Sequence, residues 1–287
     1  MAVLAITTGT EGLAALKSRW DSAFRTAPNE ESVIIKDFDK PTGVERIDNT
    51  LYIRIVPIVT PASIASSSKG SDAEGYQNAS ITAISATPSF YGSIVQLPDN
   101  LISNLGAADT AALEAAYRKQ SLAALDQQFD ALGGNLATAV GTIKGPGNFD
   151  KTSLLDAINA VVTGAKDHLK IGVDNVHVKY HPTQWQHIMA VAEIANAYAR
   201  GDKQNPNVKG VVMDAWGATF AETGNVKLSG GFYYNMFFVK SAFVQGWNLK
   251  PTVKPMQDFE FSRRLVVEAE GGCAEVFDGD AAVHKSA

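Results

Sequence analysis

Three histidines lie close together in the chain. His177 and His181 belong to the alternating run Val176-His177-Val178-Lys179-Tyr180-His181, and His187 follows shortly after Pro182. On a strand the first two would share one face, and a helix opened by Pro182 would place the third about one turn in, so the residue types suit zinc. No carboxylate is positioned to complete the set, and zinc needs converging ligands, not merely neighbouring ones. The reading adopted is polar residues on the exposed side of a half-buried strand, with no metal, no cofactor and no catalytic residue. A soluble α+β enzyme using His177, His181 and His187 stays as a rival, and metal analysis of the purified protein would test it.

Other motifs carry less. Lys144 stands in the glycine-rich run from Gly141 to Asp150, but a phosphate loop needs Ser or Thr after its lysine, and here Gly145 follows. Leu228-Ser229-Gly230-Gly231 echoes a transporter-ATPase signature without a phosphate loop to complement it. Arg200-Gly201-Asp202 and the sequon Asn78-Ala79-Ser80 are three-residue matches and read as chance. Cys273 is the one cysteine, which excludes an internal disulfide framework and any multi-cysteine metal site; after Gly271-Gly272 it reads as a small apolar residue in a strand. No acid pair, no activated nucleophile and no nucleophile elbow emerges, so the sequence announces no enzyme.

With 287 residues and 45% hydrophobic content, the chain can bury a core as one large or two small domains. Its 25 basic and 30 acidic residues give a net charge of −5 with no basic block, which disfavours a protein that reads nucleic acid by neutralising phosphates. Nothing resembles a signal peptide, and no run approaches the roughly 18 apolar residues of a membrane helix, so folding in the cytoplasm is expected.

The strongest structural signal is a long helix, 109–132. Asp109 is placed as N-cap, Ala, Leu, Gln, Glu and Lys fill the interior, and Gly133-Gly134 close it. Leu122, Leu125, Phe129, Leu132 and Leu136 form one apolar stripe, with Glu114 and Arg118 paired on the other side. A second helix is predicted from Thr152 to Lys166, its Leu154, Ile158, Val161 and Ala165 facing the first. Before the long helix, Thr50 to Val56 alternates as a strand, and a second β-rich run goes from Ser80 to Val95. Between them lies a small, polar tip, so the two runs predict a long hairpin, which is marginal in water unless something outside it helps. Lys69 sits in that tip beside Asp72 and Glu74, and reads first as a solvated loop charge. Residues 1–48 look like an arm with isolated anchors such as Trp20, Phe24 and Phe38. Strands are predicted for Gly210 to Phe220, Phe232 to Val239, Phe243 to Trp247, and again from Thr252 to His284.

The order arm, projecting hairpin, long helix, α+β half resembles the major capsid protein of tailed bacteriophages, the Hong Kong 97-type fold. The resemblance covers almost the whole chain. It rests on Arg54 in the first hairpin strand, Phe90-Tyr91-Gly92 to Leu97-Pro98, Asn100-Leu101-Ile102-Ser103 leading to the helix, Val176 to Trp185, Lys240-Ser241-Ala242-Phe243 and Gly272-Cys273-Ala274-Glu275-Val276. It implies an N-terminal arm at 1–48, an extended β-hairpin loop at 49–98, a peripheral domain at 99–175 and 252–287 with spine helix 109–132, and an axial domain at 176–251.

Function would then lie in assembly. The resemblance implies pentamers and hexamers that form an icosahedral head around double-stranded DNA, without sequence-specific binding, assembled in the host bacterial cytoplasm and located in the virion. Arg54, Lys69, Asp72 and Glu74 are the expected inter-subunit contacts. Expected partners are a separate scaffolding protein, since this chain has no room for a fused one, a portal protein, and a decoration or cement protein; no membrane is involved. Some members crosslink a loop lysine to a neighbour's asparagine, but the matching asparagine and acid are not located here, so Lys69 is not assigned that role. An encapsulin-type compartment shell is the nearest alternative, and neighbouring terminase and portal genes would argue against it.

Overall fold

A computed structural model describes residues 32–41, 44–47, 50–55, 82–165, 176–195, 214–254, 257–259 and 262–287. The chain divides into two compact units, one of residues 32–89, 128–248 and 270–287, the other of 1–31, 90–127 and 249–269.

In the first unit a seven-stranded sheet carries the core. Its order is β5 (Ile143–Lys144), β14 (Ala281–Ser286), β10 (Phe232–Val239), β6 (Val176–Tyr180), β8 (Ala218–Glu222) and β7 (Asp214–Ala215), with β9 (Leu228–Ser229) also pairing with β10. β6 runs parallel to β8, and β14 parallel to β5, while the remaining pairs are antiparallel. Helix α2 (Lys151–Ala165) covers this sheet. It buries Leu154, Ala157, Ile158, Val161 and Ala165 in one cluster with Val176, Val178, Phe237, Val239 and Ala282. Asp150 starts the helix: its carboxylate accepts the Ser153 N–H at 2.7 Å, while its own N–H donates to Ser153 Oγ at 2.9 Å. The Ser153 backbone N–H, then its hydroxyl, hold the Asp150 carboxyl below the usual carboxylate range. Pro182 opens a 3-10 turn, Pro182–Gln184, and the predicted third helix continues as α3 (Trp185–Ala190), then breaks at Val191 before α4 (Ala192–Ala195).

The hairpin base is present. β2 (Thr50–Ile55) pairs antiparallel with β3 (Thr82–Ala86), from Leu51 opposite Ala86 to Ile55 opposite Thr82. β1 (Val44–Ile47), from the segment assigned to the arm, adds a third strand on the other side of β2. Leu51 and Ala86 are buried with Val244 and Ala274, so the base of this sheet is packed against the same unit. The second β-rich run is not one strand. It breaks at Thr87-Pro88, where proline has no N–H to give, and β4 (Ser89–Pro98) pairs instead with β13 (Ser262–Glu275). β13 also pairs with β11 (Phe243–Val253) and β12 (Gln257–Phe259).

Helix α1 runs from Asp99 to Asn135, 37 residues. It begins ten residues before the predicted N-cap, so Asp109 is interior; Asp99 directly follows Pro98 and supplies the acidic first turn. The segment Asn100 to Ser103, expected as a linker, is helical. At the other end Gly133 and Gly134 do not terminate the helix. They admit close neighbours: a Cβ on Gly133 would lie 2.6 Å from Ile35 Cγ2, and one on Gly134 only 2.3 Å from the Asn225 carbonyl oxygen. Gly271-Gly272 lies inside the 14-residue β13 for the same reason, with Gly271 against the Trp247 ring and Gly272 against Thr87 O. Gly134→Ala should therefore cost about 1–3 kcal/mol in urea unfolding, because a backbone oxygen must move. Gly147→Ala, where nothing lies within 4 Å, should change stability by no more than about 0.5 kcal/mol.

The apolar stripe holds in its centre. Leu125 and Phe129 are buried, whereas Leu122, Leu132 and Leu136 are half-buried. Its partner differs from the expected second helix: Phe129 meets the edge of Trp247 on β11, ring centroids 4.5 Å apart. The α2 core is made with the seven-stranded sheet. Glu114 and Arg118 pair at 3.9 Å, both half-buried. Among the described residues, no helix is long and apolar enough to cross a membrane.

Candidate functional site

Of the four expected contact residues, Arg54 lies among the described residues. Arg54 lies on β2 opposite Ala83 of β3. Lys69, Asp72 and Glu74, expected in the tip, lie outside the described residues, as do the arm anchors Trp20 and Phe24, the Arg200-Gly201-Asp202 tripeptide and Asn78.

The histidines do not converge. His177 Nδ1 lies 3.3 Å from Asp37 Oδ2, and its ring rests on Phe238. His181 sits just beyond β6, where Nδ1 accepts the Thr183 N–H at 3.3 Å and the ring stacks on Tyr233 at 3.6 Å. His187 is in α3. Among the described residues, no three His, Cys, Asp or Glu side chains gather to hold a metal ion. The strand is also less exposed than its alternation suggests, because β6 sits between β10 and β8 and is nearly buried on both faces.

What the structure does build is a clamp on residues 32–39 of the first unit. Asp130 of α1 is fully buried, and its Oδ1 accepts the N–H groups of Val33, Ile34 and Ile35 at 3.0, 2.7 and 3.0 Å, with Ser32 Oγ at 3.2 Å. Its Oδ2 accepts the Asn225 amide at 3.0 Å. These N–H groups begin the 3-10 turn Ile35–Asp37, where partial positive charge favours an anion. Asp37 then reaches Lys179 of β6, which is only 2% exposed, and a short hydrogen bond joins them. Burial alone would raise the Asp37 pKa, but the hydrogen bonds and charges of His177 and Lys179 outweigh it and hold that carboxyl well below the usual range. Phe38 is fully buried between Phe238 and Phe243, 5.5 and 5.0 Å away by ring centroids. Asp39 closes the clamp through backbone bonds, its N–H to Phe243 O at 3.0 Å and its carbonyl from Gln245 N–H at 2.9 Å.

Of this clamp, only Phe38 was legible beforehand as an anchor. Asp130 hides in a helix whose neighbours look like an ordinary polar face. Its one signal is its place directly after Phe129, at the centre of the buried stripe. Cys273 lies on β13, as expected for a strand residue, and burial, then the Asp130 charge, push its thiol up to about 12.

Several large apolar side chains remain outside the core. On β4 Phe90 and Ile94 are 61% and 68% exposed and share one strand face with Gly92 between them, while Ser93 on the opposite face bonds Ser121 of α1 at 3.1 Å. Ile47 on β1 is exposed too. Such residues on a β-rich surface suit burial by another chain, not chemistry.

The α+β architecture is one that known structures share. No family model matches the sequence, and no curated protein matches it. Among solved structures, one from Mycobacterium phage Che8 is similar at 15% identity, covering 99% of this chain and 98% of that one, with a TM-score of 0.61. The capsid structure of cyanophage P-SCSP1u is similar at 12% identity, covering 99% and 97%, TM-score 0.63. The capsid of a native GTA particle is similar at 10% identity, covering 99% and 100%, TM-score 0.63. The chain thus adopts the fold of tailed-phage capsid proteins, as its order of elements predicted.

Proposed function

We propose that the protein is the structural subunit of a tailed-phage head, assembling as pentamers and hexamers into an icosahedral shell that encloses double-stranded DNA. The observation that supports this is the fold shared over nearly the full length of both chains with the capsids of a cyanophage and of a GTA particle. In this reading residues 1–48 are the arm, 49–98 the loop laid over a neighbour, 99–175 with 252–287 the peripheral domain, and 176–251 the axial domain. Arg54, Lys69, Asp72 and Glu74 contact adjacent subunits. Scaffolding, portal and decoration proteins are the partners, the site of assembly is the bacterial cytoplasm, and the role is structural, without catalysis. The acidic net charge of −5 suits a shell that contains DNA without gripping it.

Electron microscopy of the protein expressed with its scaffold tests the reading: icosahedral particles are expected, and a monodisperse monomer that never assembles would overturn it. Ile94→Asp gives a sharper test. The side chain is 68% exposed, so the subunit should fold with a stability change of no more than about 0.5 kcal/mol, while the yield of sedimenting particles drops.

A further inference from the structure

Residues 145–149 lie as a strap across the end of β14. Gly145 approaches so closely that a Cβ there would sit 2.6 Å from Lys285 O, and the Gly147 N–H donates to that same oxygen at 3.1 Å. The Phe149 N–H donates to Gln184 Oε1 at 3.1 Å, and Gln184 Nε2 donates to Asn148 Oδ1 at 3.3 Å, so the Pro182–Gln184 turn holds the far end of the strap. Phe149 itself is buried. Its ring meets Phe237 of β10 at 5.9 Å and the His284 ring of β14 at 4.9 Å, measured between centroids.

His284 is only 2% exposed, and among the described residues its buried Nδ1 has no hydrogen-bond partner. The polar groups around it are engaged elsewhere. Asn235, its register partner on β10, gives its amide to His284 O and Ser286 Oγ at 3.1 and 2.8 Å, and takes the His181 N–H on Oδ1 at 2.9 Å. Lys144, its register partner on β5, is another cation. Lys285 stands over the Tyr234 ring, and Tyr233 stacks on His181. The carboxylate whose charge reaches the imidazole is that of Asp150, which is exposed and committed to Ser153 at the start of α2. The site therefore suits a neutral ring. A proton on His284 would bury a charge against Phe149 with no acceptor at Nδ1.

We infer that residues 145–149 form an acid-released strap over β14 with the His284 imidazole as its trigger, seated while the ring is neutral and lifted when the ring takes a proton and meets water. Burial holds the imidazole below the usual histidine range, against the opposing pull of the Asp150 charge. Because the closed value lies below that of the freed ring, the open form binds the extra proton. The strap's hold is therefore full above the free histidine value of about 6.5 and weakens as pH falls through it.

Hydrogen exchange of the full-length, unassembled chain tests the strap. Corrected for intrinsic rate, the Gly147 and Phe149 amides should exchange about three- to tenfold faster at about pH 5.5 than at about pH 7.5. The Thr223 amide, which donates to Tyr180 O at 3.0 Å just beyond β8, should keep its protection. In His284→Gln, which cannot titrate, each strap amide should show one corrected rate at both pH values. An unchanged rate in wild type, or equal acceleration of all three amides, would overturn the inference, and this comparison decides it even if the variant misfolds. An equal pH response in wild type and in folded His284→Gln would overturn it as well.

Discussion

Asp130→Ala is expected to lower the stability of the subunit by about 3–5 kcal/mol, among the largest losses available to a single polar substitution here. The side chain is fully buried, and Ile34 and Ile35 donate to it from buried positions. Each buried N–H left without an acceptor costs roughly 1–3 kcal/mol, and alanine brings no replacement. The Val33 N–H, Ser32 hydroxyl and Asn225 amide lose the same partner, though they sit where water can reach more easily. Asp130→Asn separates charge from hydrogen bonding. Its oxygen can still serve the three N–H groups while its NH₂ faces Asn225, so an intermediate loss is expected. Urea unfolding of the unassembled subunit measures both, and a change below about 1 kcal/mol for the alanine variant would show that the clamp contributes little.

Phe129→Asp should leave no soluble folded subunit. Removing a buried phenylalanine costs about 3–5 kcal/mol, and an unpaired carboxylate in its place adds several more, which together reach the whole stability of a typical domain. The site offers no relief. Trp247 lies against one side of the ring, and the next residue, Asp130, is already a buried carboxylate, so a second would repel it. Phe129→Leu, which keeps an apolar side chain, should fold with a smaller loss. Soluble, folded Phe129→Asp protein would show that the stripe on α1 does not face a core.

These two residues mark how far the sequence could be read. Phe129 was legible because helical periodicity is a property of the local chain, and the same holds for the buried face of α2 and the alternation in β2 and β6. Asp130 was not, because its role depends on residues 32–35 and 225, far away in the chain and carrying no pattern. The glycines failed for a related reason. At 133–134 they were read as the end of a helix, the local meaning of glycine, whereas they are there because another side chain or backbone comes too close for a Cβ. Lys179 and His177 were placed on a half-exposed face, correct for a sheet with one open side but not for a strand flanked and covered as β6 is. The order of elements survived these local errors, since each shifted a boundary without removing an element, and that order carried the resemblance to phage capsids.

β14 sits between β5 and β10, although it follows both by a long way in the chain. A ribosome therefore delivers β5, β6, β8 and β10 before the strand that joins β5 to the rest. Until then β10 lacks a partner along Tyr233 to Phe238, YYNMFF, an edge apolar enough to invite pairing with another copy. Closure of the sheet must wait for almost the whole described chain, a non-local and slow step. A chain built this way completes its central sheet only when β14 joins β5 to β10. The interval before closure is when the nascent protein is most exposed to aggregation and to chaperones.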